Sequence, residues 1–287
     1  MKKMIKSPLR YPGGKSRGID YICQYLPDNF SEYREPMVGG GSMFIYLKQQ
    51  NPRLKIWIND LNPELYLFWK IAQSNLVNLV HEIKNCKRNY QDGKQLFREL
   101  TTVNINNLTD LERATRFFIL NRITFSGTVE SGGFSQGAFE KRFTDSSIER
   151  LELLEHILQD ITITNLDFED VIKGNNNNNI FLFLDPPYYN KAKSKLYGKK
   201  GNLHSEFNHE KFIQTVKESH HKWLITYDNS EFIKDNFKEF YTQEWELQYG
   251  MNNYKKSSAQ KGKELLITNY LSSYNLINNQ QLTLNLF

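Results

Sequence analysis

The chain has 287 residues, enough for one large domain or two modest ones, and its 37 Lys and Arg against 32 Asp and Glu leave a formal net charge of +5. That mild basicity favours a nucleic-acid partner, while two cysteines, Cys23 and Cys86, without metal-type spacing argue against a disulfide framework or a zinc site. No apolar run approaches the roughly 18 residues of a membrane span, and the basic start Met1-Lys2-Lys3-Met4 lacks a signal peptide's apolar stretch, so a cytoplasmic protein is expected.

The first informative stretch is Ser7-Pro8-Leu9-Arg10-Tyr11-Pro12-Gly13-Gly14-Lys15. Pro-Gly-Gly is a turn signal, and Ser16 is placed to cap a helix running to about Leu26. Such a loop exposes backbone N–H groups beside Lys15 and suits a carboxylate or a phosphate; a plain turn with a surface lysine is the alternative. The spacing is not that of a P-loop. Tyr33 to Val38 then reads as a short strand entering Gly39-Gly40-Gly41, with Ser42 opening a helix. Strand, glycine loop and helix form the first unit of a nucleotide-binding α/β fold. The G-x-G-x-x-G fingerprint is not met, so a dinucleotide is disfavoured; a tight βα turn is the plainer reading. Lys55 to Asp60 is the next strand, followed by Leu61-Asn62-Pro63, with Pro63 suited to a helix first turn. Asp60 lies about 20 residues beyond the glycine loop, the distance for a carboxylate that bonds ribose hydroxyls, or else it caps the helix.

From Tyr66 to about Gln159 the pattern changes. Leu76, Leu79, Val80 and Ile83 recur at helical spacing, as do the apolar residues from Leu111 to Leu120 around Arg113 and Arg116. Arg122 follows in Asn121-Arg122-Ile123-Thr124-Phe125-Ser126-Gly127, and Gly132-Gly133 predicts the tip of a projecting hairpin near 124–139. The region reads as a mostly helical insert; a cap over a cofactor is the bland alternative. Ile161 to Asn165 is a strand ending in Leu166-Asp167-Phe168, an acid and an aromatic able to hold an amino group and a ring. Equally, Asp170 caps a helix and Phe168 is core. Asn-rich Gly174–Asn179 leads on.

Ile180 to Leu184 is a continuous apolar run that stops at Asp185-Pro186-Pro187-Tyr188. Such a run reads as a buried, parallel strand, which prolines cannot continue. In open α/β sheets the ligand crevice lies outside the carboxyl ends of strands. A carboxylate, a stiff prolyl carbonyl and an aromatic face at that edge fit an exocyclic amino group on a heterocycle, as in adenine or cytosine; a strand-end turn with a solvated Asp is the alternative. Lys191, Lys193, Lys195, Lys199 and Lys200 follow without an intervening acid, consistent with a phosphate-contacting loop. A helix near 208–219, a strand at Lys222–Tyr227, a capped helix to Phe237 and strands at Thr242–Tyr249 and Glu264–Tyr270 complete the pattern. Lys255 and Lys256 lie in the basic link between the last two strands, and residues 271–287 read as a polar tail.

D-P-P-Y after an apolar strand is similar to motif IV of amino-group methyltransferases that use S-adenosylmethionine (SAM). With the earlier segments in their order, the chain resembles the Dam-like (D12 class, α-group) DNA adenine-N6 methyltransferases. The resemblance implies a Rossmann-like α/β methyltransferase sheet over residues 1–65 and 160–287, with a target-recognition insert over 66–159. It implies SAM held by Tyr11 and Lys15 of motif X, by Glu35, Pro36, Gly39, Gly41 and Ser42 of motif I, and by Asp60 and Leu61 of motif II. Asp167 and Phe168 of motif III and Asp185 complete that set, and Asp185, Pro186, Pro187 and Tyr188 carry the catalysis. Double-stranded DNA is the implied partner, with Arg116, Arg122, Lys191, Lys193, Lys195, Lys199, Lys200, Lys255 and Lys256 as expected contacts, no metal, and a cognate restriction endonuclease as a functional companion. Val129-Glu130-Ser131 replaces the family's usual basic and Asn residues at the hairpin tip, so the target sequence does not carry over. Neither cysteine has the Pro-Cys context of a cytosine-C5 nucleophile. Cytosine N4, RNA or protein glutamine as acceptor, and a non-catalytic DNA-binding relative, are the alternatives.

Overall fold

The computed structural model describes residues 4–11, 13–129, 131–174, 179–189, 207–247 and 262–276. Seven strands form one sheet: β1 Glu32–Glu35, β2 Lys55–Asn59, β3 Ile161–Thr164, β4 Ile180–Leu184, β5 Lys222–Asp228, β6 Tyr241–Leu247 and β7 Gly262–Thr268. Their order is β3-β2-β1-β4-β5-β7-β6, parallel from β3 to β5. β7 runs antiparallel between β5 and β6, so the two last strands form an antiparallel pair. The chain winds outward from β1 through β2 to β3, then restarts beside β1 with β4. That reversal is the switch point of a doubly wound sheet, where the strand ends part to leave a crevice. The expected Rossmann-like α/β fold is the one observed.

The apolar run of β4 serves both faces. Phe181 and Phe183 enter one core, and Ile180, Leu182 and Leu184 the other. This is why the run is continuous rather than alternating. On the first face lie α1 (Ile19–Ile22), α2 (Ser42–Gln50) and α3 (Pro63–Ser74); on the second lie α9 (Phe168–Lys173), α10 (His209–Lys217) and α11 (Glu231–Asn236).

Between β2 and β3 the chain is helical: after α3 come α4 (Leu76–Asn89), α5 (Gly93–Thr102), α6 (Asp110–Ile123), α7 (Gln136–Arg142) and α8 (Asp145–Glu152). α6 begins in a capping box, Thr109 bonding Glu112 N while Glu112 accepts from Thr109 N. Phe68 and Trp69 of α3 pack with Phe117 and Phe118 of α6, and these belong to the same core cluster as Ile56, Ile58 and Phe181 of the sheet. The helices therefore sit on the sheet through shared apolar surface.

Three local expectations change. The helix expected from Ser16 to Leu26 is broken into a 3-10 turn Lys15–Arg17, α1 and a 3-10 turn Cys23–Tyr25, because the Lys15 side chain is drawn inward and Gly18 N closes the first turn on Lys15 O. β1 stops at Glu35, before Pro36. The hairpin near 124–139 reduces to one antiparallel bridge, Thr124 to Phe134, after which the Ser135 hydroxyl caps α7 and turns the chain into helix. No helix among the described residues is long and apolar enough to cross a membrane.

Candidate active site

Asp185 stands at the carboxyl end of β4, beside the switch point. The Lys15 ammonium donates to both its carboxylate oxygens, at 2.7 and 2.8 Å, and to Gly13 O at 3.0 Å. Lys15 is 3% exposed and Asp185 21%, so the anion faces the crevice while its counter-ion lies beneath. The Thr226 hydroxyl, from β5, donates to Asp185 Oδ1 at 2.9 Å. Two residues later Asp228 Oδ1 accepts the Tyr189 backbone N–H at 2.7 Å. Both ends of the D-P-P-Y-Y turn are thus tied to the neighbouring strand. The Tyr188 ring is buried 6.2 Å from that of Tyr227, with Lys15 Nζ 5.2 Å from its centroid.

The end of β1 supplies a second carboxylate. Glu35 Oε2 accepts the Tyr33 hydroxyl at 2.8 Å and Phe44 N at 3.3 Å. Burial holds Glu35 well above the usual carboxylate range, against the pull of the Tyr33 hydrogen bond, and the charges of Asp185 and Asp60 push the same way. The glycine loop follows. Gly39 has φ +48°, and a Cβ there would meet the Tyr11 ring at 2.8 Å. The segment bearing Tyr11 therefore lies directly on this loop, where the Ser7 hydroxyl also bonds Gly40 O.

Asp60 accepts Gly39 N and Asn62 N, each at 3.0 Å. Burial pushes it up to about 6, with these two N–H donors pulling the other way. Leu61 beside it and Leu166 opposite are exposed apolar side chains. Asp167 caps α9 by accepting Glu169 N at 2.9 Å and meets Lys211 Nζ at 3.3 Å. Lys211 Nζ also lies 5.3 Å from the centre of the Phe168 ring.

Sequence reasoning missed three residues. Asn59 spends its whole amide: Nδ2 donates to Pro36 O at 2.9 Å and Leu166 O at 3.0 Å, and Oδ1 accepts Leu166 N at 2.8 Å and Thr164 Oγ1 at 2.7 Å. It ties the ends of β1, β2 and β3 together. Thr226 is fully buried and looks, in sequence, like any β-branched strand residue. Phe125 is 61% exposed on a tight turn in which Ser126 adopts φ +59°.

The basic residues divide. Arg116 and Arg122, expected on a DNA surface, are only 7% and 4% exposed. Arg116 Nε donates to Leu100 O at 2.6 Å, and Arg122 donates to Pro8 O at 3.0 Å and to Arg142 O at 2.8 and 2.6 Å. These donations go to main-chain carbonyls of Leu100, Pro8 and Arg142, so both side chains point into the fold rather than onto a surface. Lys191, Lys193, Lys195, Lys199, Lys200, Lys255 and Lys256 lie outside the described residues. Among the described residues no group of three His, Cys, Asp or Glu side chains is placed to hold a metal ion.

A carboxylate and a prolyl turn at the switch point, a glycine loop, and acids at the ends of β1 and β2 thus gather at one edge of the sheet. The sequence model of the D12 class N6 adenine-specific DNA methyltransferases matches residues 11–251. The chain belongs to this family. This D12 protein is an enzyme, a DNA adenine methyltransferase that uses a methyl donor. It is similar to the Type II methyltransferase M1.LlaDCHI of Lactococcus lactis subsp. cremoris, with 25% identity over 277 residues, 91% of this chain and 94% of that one. It is also similar to the Type II methyltransferase M.CviBI of Paramecium bursaria Chlorella virus NC1A, 23% identical over 93% of this chain and all of that one. The DNA adenine methylase of Haemophilus influenzae is 24% identical over 63% of each chain.

Proposed function

We propose that this D12 methyltransferase transfers the methyl of SAM to N6 of an adenine turned out of duplex DNA, with Asp185, the Pro186 carbonyl and Tyr188 as the residues that meet the base. The observation that carries the reading is Asp185 at the switch point, oriented by Lys15 and Thr226. The residues present fit SAM. Asp60 offers carboxylate oxygens next to the glycine loop, exposed Leu61 and Leu166 offer apolar faces, and Asp167 with Phe168 offers an acceptor and a ring. The buried carboxyl of Glu35 beneath the loop orders Phe44 N at the start of α2. Bound there, SAM would supply a methyl on a sulfonium, whose sulfur leaves as a neutral thioether.

The amino nitrogen of adenine is a poor nucleophile because its lone pair is delocalised into the ring. Asp185 and the Pro186 carbonyl accept its two N–H bonds and favour tetrahedral character, which frees the lone pair for in-line attack. Asp185 then takes up the proton that the methylated nitrogen sheds. The gain is positioning and fixed electrostatics: Lys15 and Thr226 hold the carboxylate before the base arrives, so little reorganisation is left for the transition state. Tyr188 supplies the ring against which the base rests, a contact worth about 1–3 kcal/mol in single-strand binding proteins.

A stacked duplex hides this amino group, so the base leaves the helix. Phe125, an exposed aromatic on a strained turn of the insert, is the side chain suited to fill the gap as an apolar wedge. The enzyme acts in the cytoplasm as the modification member of a restriction-modification pair, as its relatives named Type II methyltransferases suggest.

Calorimetric titration with SAM, run beside a methyl-transfer assay on unmethylated duplex, tests the reading with wild type and Asp185→Asn. Both proteins should bind SAM and only wild type should transfer. A wild type that binds no SAM, or an Asp185→Asn variant that transfers at the wild-type rate, would overturn it.

A further inference from the structure

Pro186 and Pro187 have no backbone N–H, so the middle of the D-P-P-Y-Y turn cannot be tied down through its own amides. The turn is fixed at its ends. At the front, Lys15 and Thr226 hold Asp185. At the back, Asp228 Oδ1 accepts the Tyr189 N–H at 2.7 Å. Between them the Tyr188 ring lies 6.2 Å from the ring of Tyr227, whose hydroxyl is bonded to His209 Nδ1. Three successive residues of β5, Thr226, Tyr227 and Asp228, therefore each meet one residue of the turn.

In sequence Asp228 reads as part of the cap of the helix that follows. The fold uses its side chain otherwise. Ser230 is the N-cap of α11, and Ser230 N bonds the main-chain oxygen of Asp228. The carboxylate turns back toward the end of β4 and is 7% exposed. Burying a carboxylate is costly unless it is hydrogen-bonded, and a main-chain N–H bonded to a carboxylate is among the stronger hydrogen bonds. Tyr189 is gripped a second time through its ring, which stacks on Phe232 of α11 at 4.1 Å and meets His209 of α10 edge-on at 5.3 Å.

We propose that Asp228 is a positioning residue for Tyr188: by fixing the exit of the turn, it sets where that ring receives the target base. This rests on the reading of Tyr188 as the ring against which the base rests, and deepens it. The prolines are stiff, so the freedom left to the turn lies at Tyr188 and Tyr189. Packing of Tyr188 on Tyr227 is poorly directional, whereas the hydrogen bond from Tyr189 N fixes the backbone one residue beyond the ring. Asp228 acts on the reaction only through that N–H. Without it the exit relaxes, the ring shifts, and the base is offered to the methyl group out of line. A misplacement of about 1 Å is enough to cost on the order of 100-fold in rate.

The test is a double-mutant cycle on methyl transfer to duplex DNA, using the full chain and the variants Asp228→Ala, Tyr188→Ala, their double, and Asp228→Asn. Asp228→Ala should lower kcat/KM for DNA by roughly 10- to 100-fold, with SAM affinity by calorimetry within about twofold of wild type. Asp228→Asn keeps an oxygen that accepts from Tyr189 N, so it should stay within about threefold of wild type. In the Tyr188→Ala background there is no ring to place, and adding Asp228→Ala should cost less than about threefold. Equal costs in the two backgrounds overturn the proposal while leaving the role of Tyr188 intact. So does Asp228→Asn as slow as Asp228→Ala, since the acceptor would then not be what matters. Asp228→Ala that no longer binds SAM also overturns it, because the loss would be one of fold. Tyr188→Ala with wild-type kcat/KM overturns the reading of Tyr188, and the proposal with it.

Discussion

Replacing Thr226 by Val removes a hydroxyl and little volume. The side chain is fully buried in β5, where residue 226 pairs with Leu266, and a β-branched valine keeps both the strand and the packing. What is lost is the 2.9 Å donation to Asp185 Oδ1. A hydrogen bond to a charged group contributes about 1.5–3 kcal/mol. Lys15 still reaches both oxygens at 2.7 and 2.8 Å, so the carboxylate stays in the site and loses the contact that fixes its plane. If that plane matters only as the amino group becomes tetrahedral, the whole loss falls on the chemical step. At about 1.4 kcal/mol per tenfold, kcat drops roughly 10- to 100-fold. Steady-state transfer of labelled methyl to duplex DNA measures this, with KM for SAM and for DNA expected within about twofold of wild type. Thr226→Ser, which restores the hydroxyl, should recover most of the rate. A wild-type kcat in Thr226→Val would refute the reasoning, as would a loss confined to KM or one that Ser fails to rescue.

Four further outcomes follow from the same geometry. The ionised form of Asp60 is the better acceptor and dominates only above pH of about 6, so SAM affinity measured by calorimetry should fall as pH drops through that value, and Asp60→Asn should flatten the profile. The stability effect has the opposite sense. A folded pKa raised from 3.8 to about 6 contributes stability below 3.8 that is lost as pH rises through about 6, so Asp60→Asn should raise Tm more at pH of about 8 than of about 4. Asn59→Asp removes two buried donations and sets a carboxylate against the carbonyls of Pro36 and Leu166; a loss of about 3 kcal/mol or more in denaturant unfolding is expected, together with weaker SAM binding. Gly127→Ala places a Cβ on the Arg10 carbonyl oxygen at φ +76°, so thermal unfolding should show a loss of about 2 kcal/mol or more.

What the sequence revealed follows the range of the interactions involved. β4 is readable because a strand buried on both faces must be apolar throughout, and Pro186 marks its end. The glycine loop and the Asp60 strand end are readable because their spacing follows the geometry of one βαβ unit. Lys15 reads as a ligand-type residue, yet its partner Asp185 lies 170 residues away, and no local pattern announces such a pair. Asn59 and Thr226 work through buried hydrogen bonds across strands that only the sheet order brings together. Arg122 shows the converse. In sequence it is a cation near a glycine-containing turn, but in the fold it donates to the carbonyls of Arg142, at the end of α7, and of Pro8, acceptors that a long guanidinium can reach. The shortened hairpin has a local cause that propensity underweights. Ser135 caps α7, and helix takes over residues expected to form the returning strand.

The account stands or falls on the atom that receives the methyl group. Unmethylated genomic DNA incubated with methyl-labelled SAM and the enzyme, then digested to nucleosides and separated by mass, identifies that atom. The account predicts label in N6-methyladenine with wild type and none with Asp185→Ala. Label in N4-methylcytosine, or N6-methyladenine formed equally well without the Asp185 carboxylate, would contradict it.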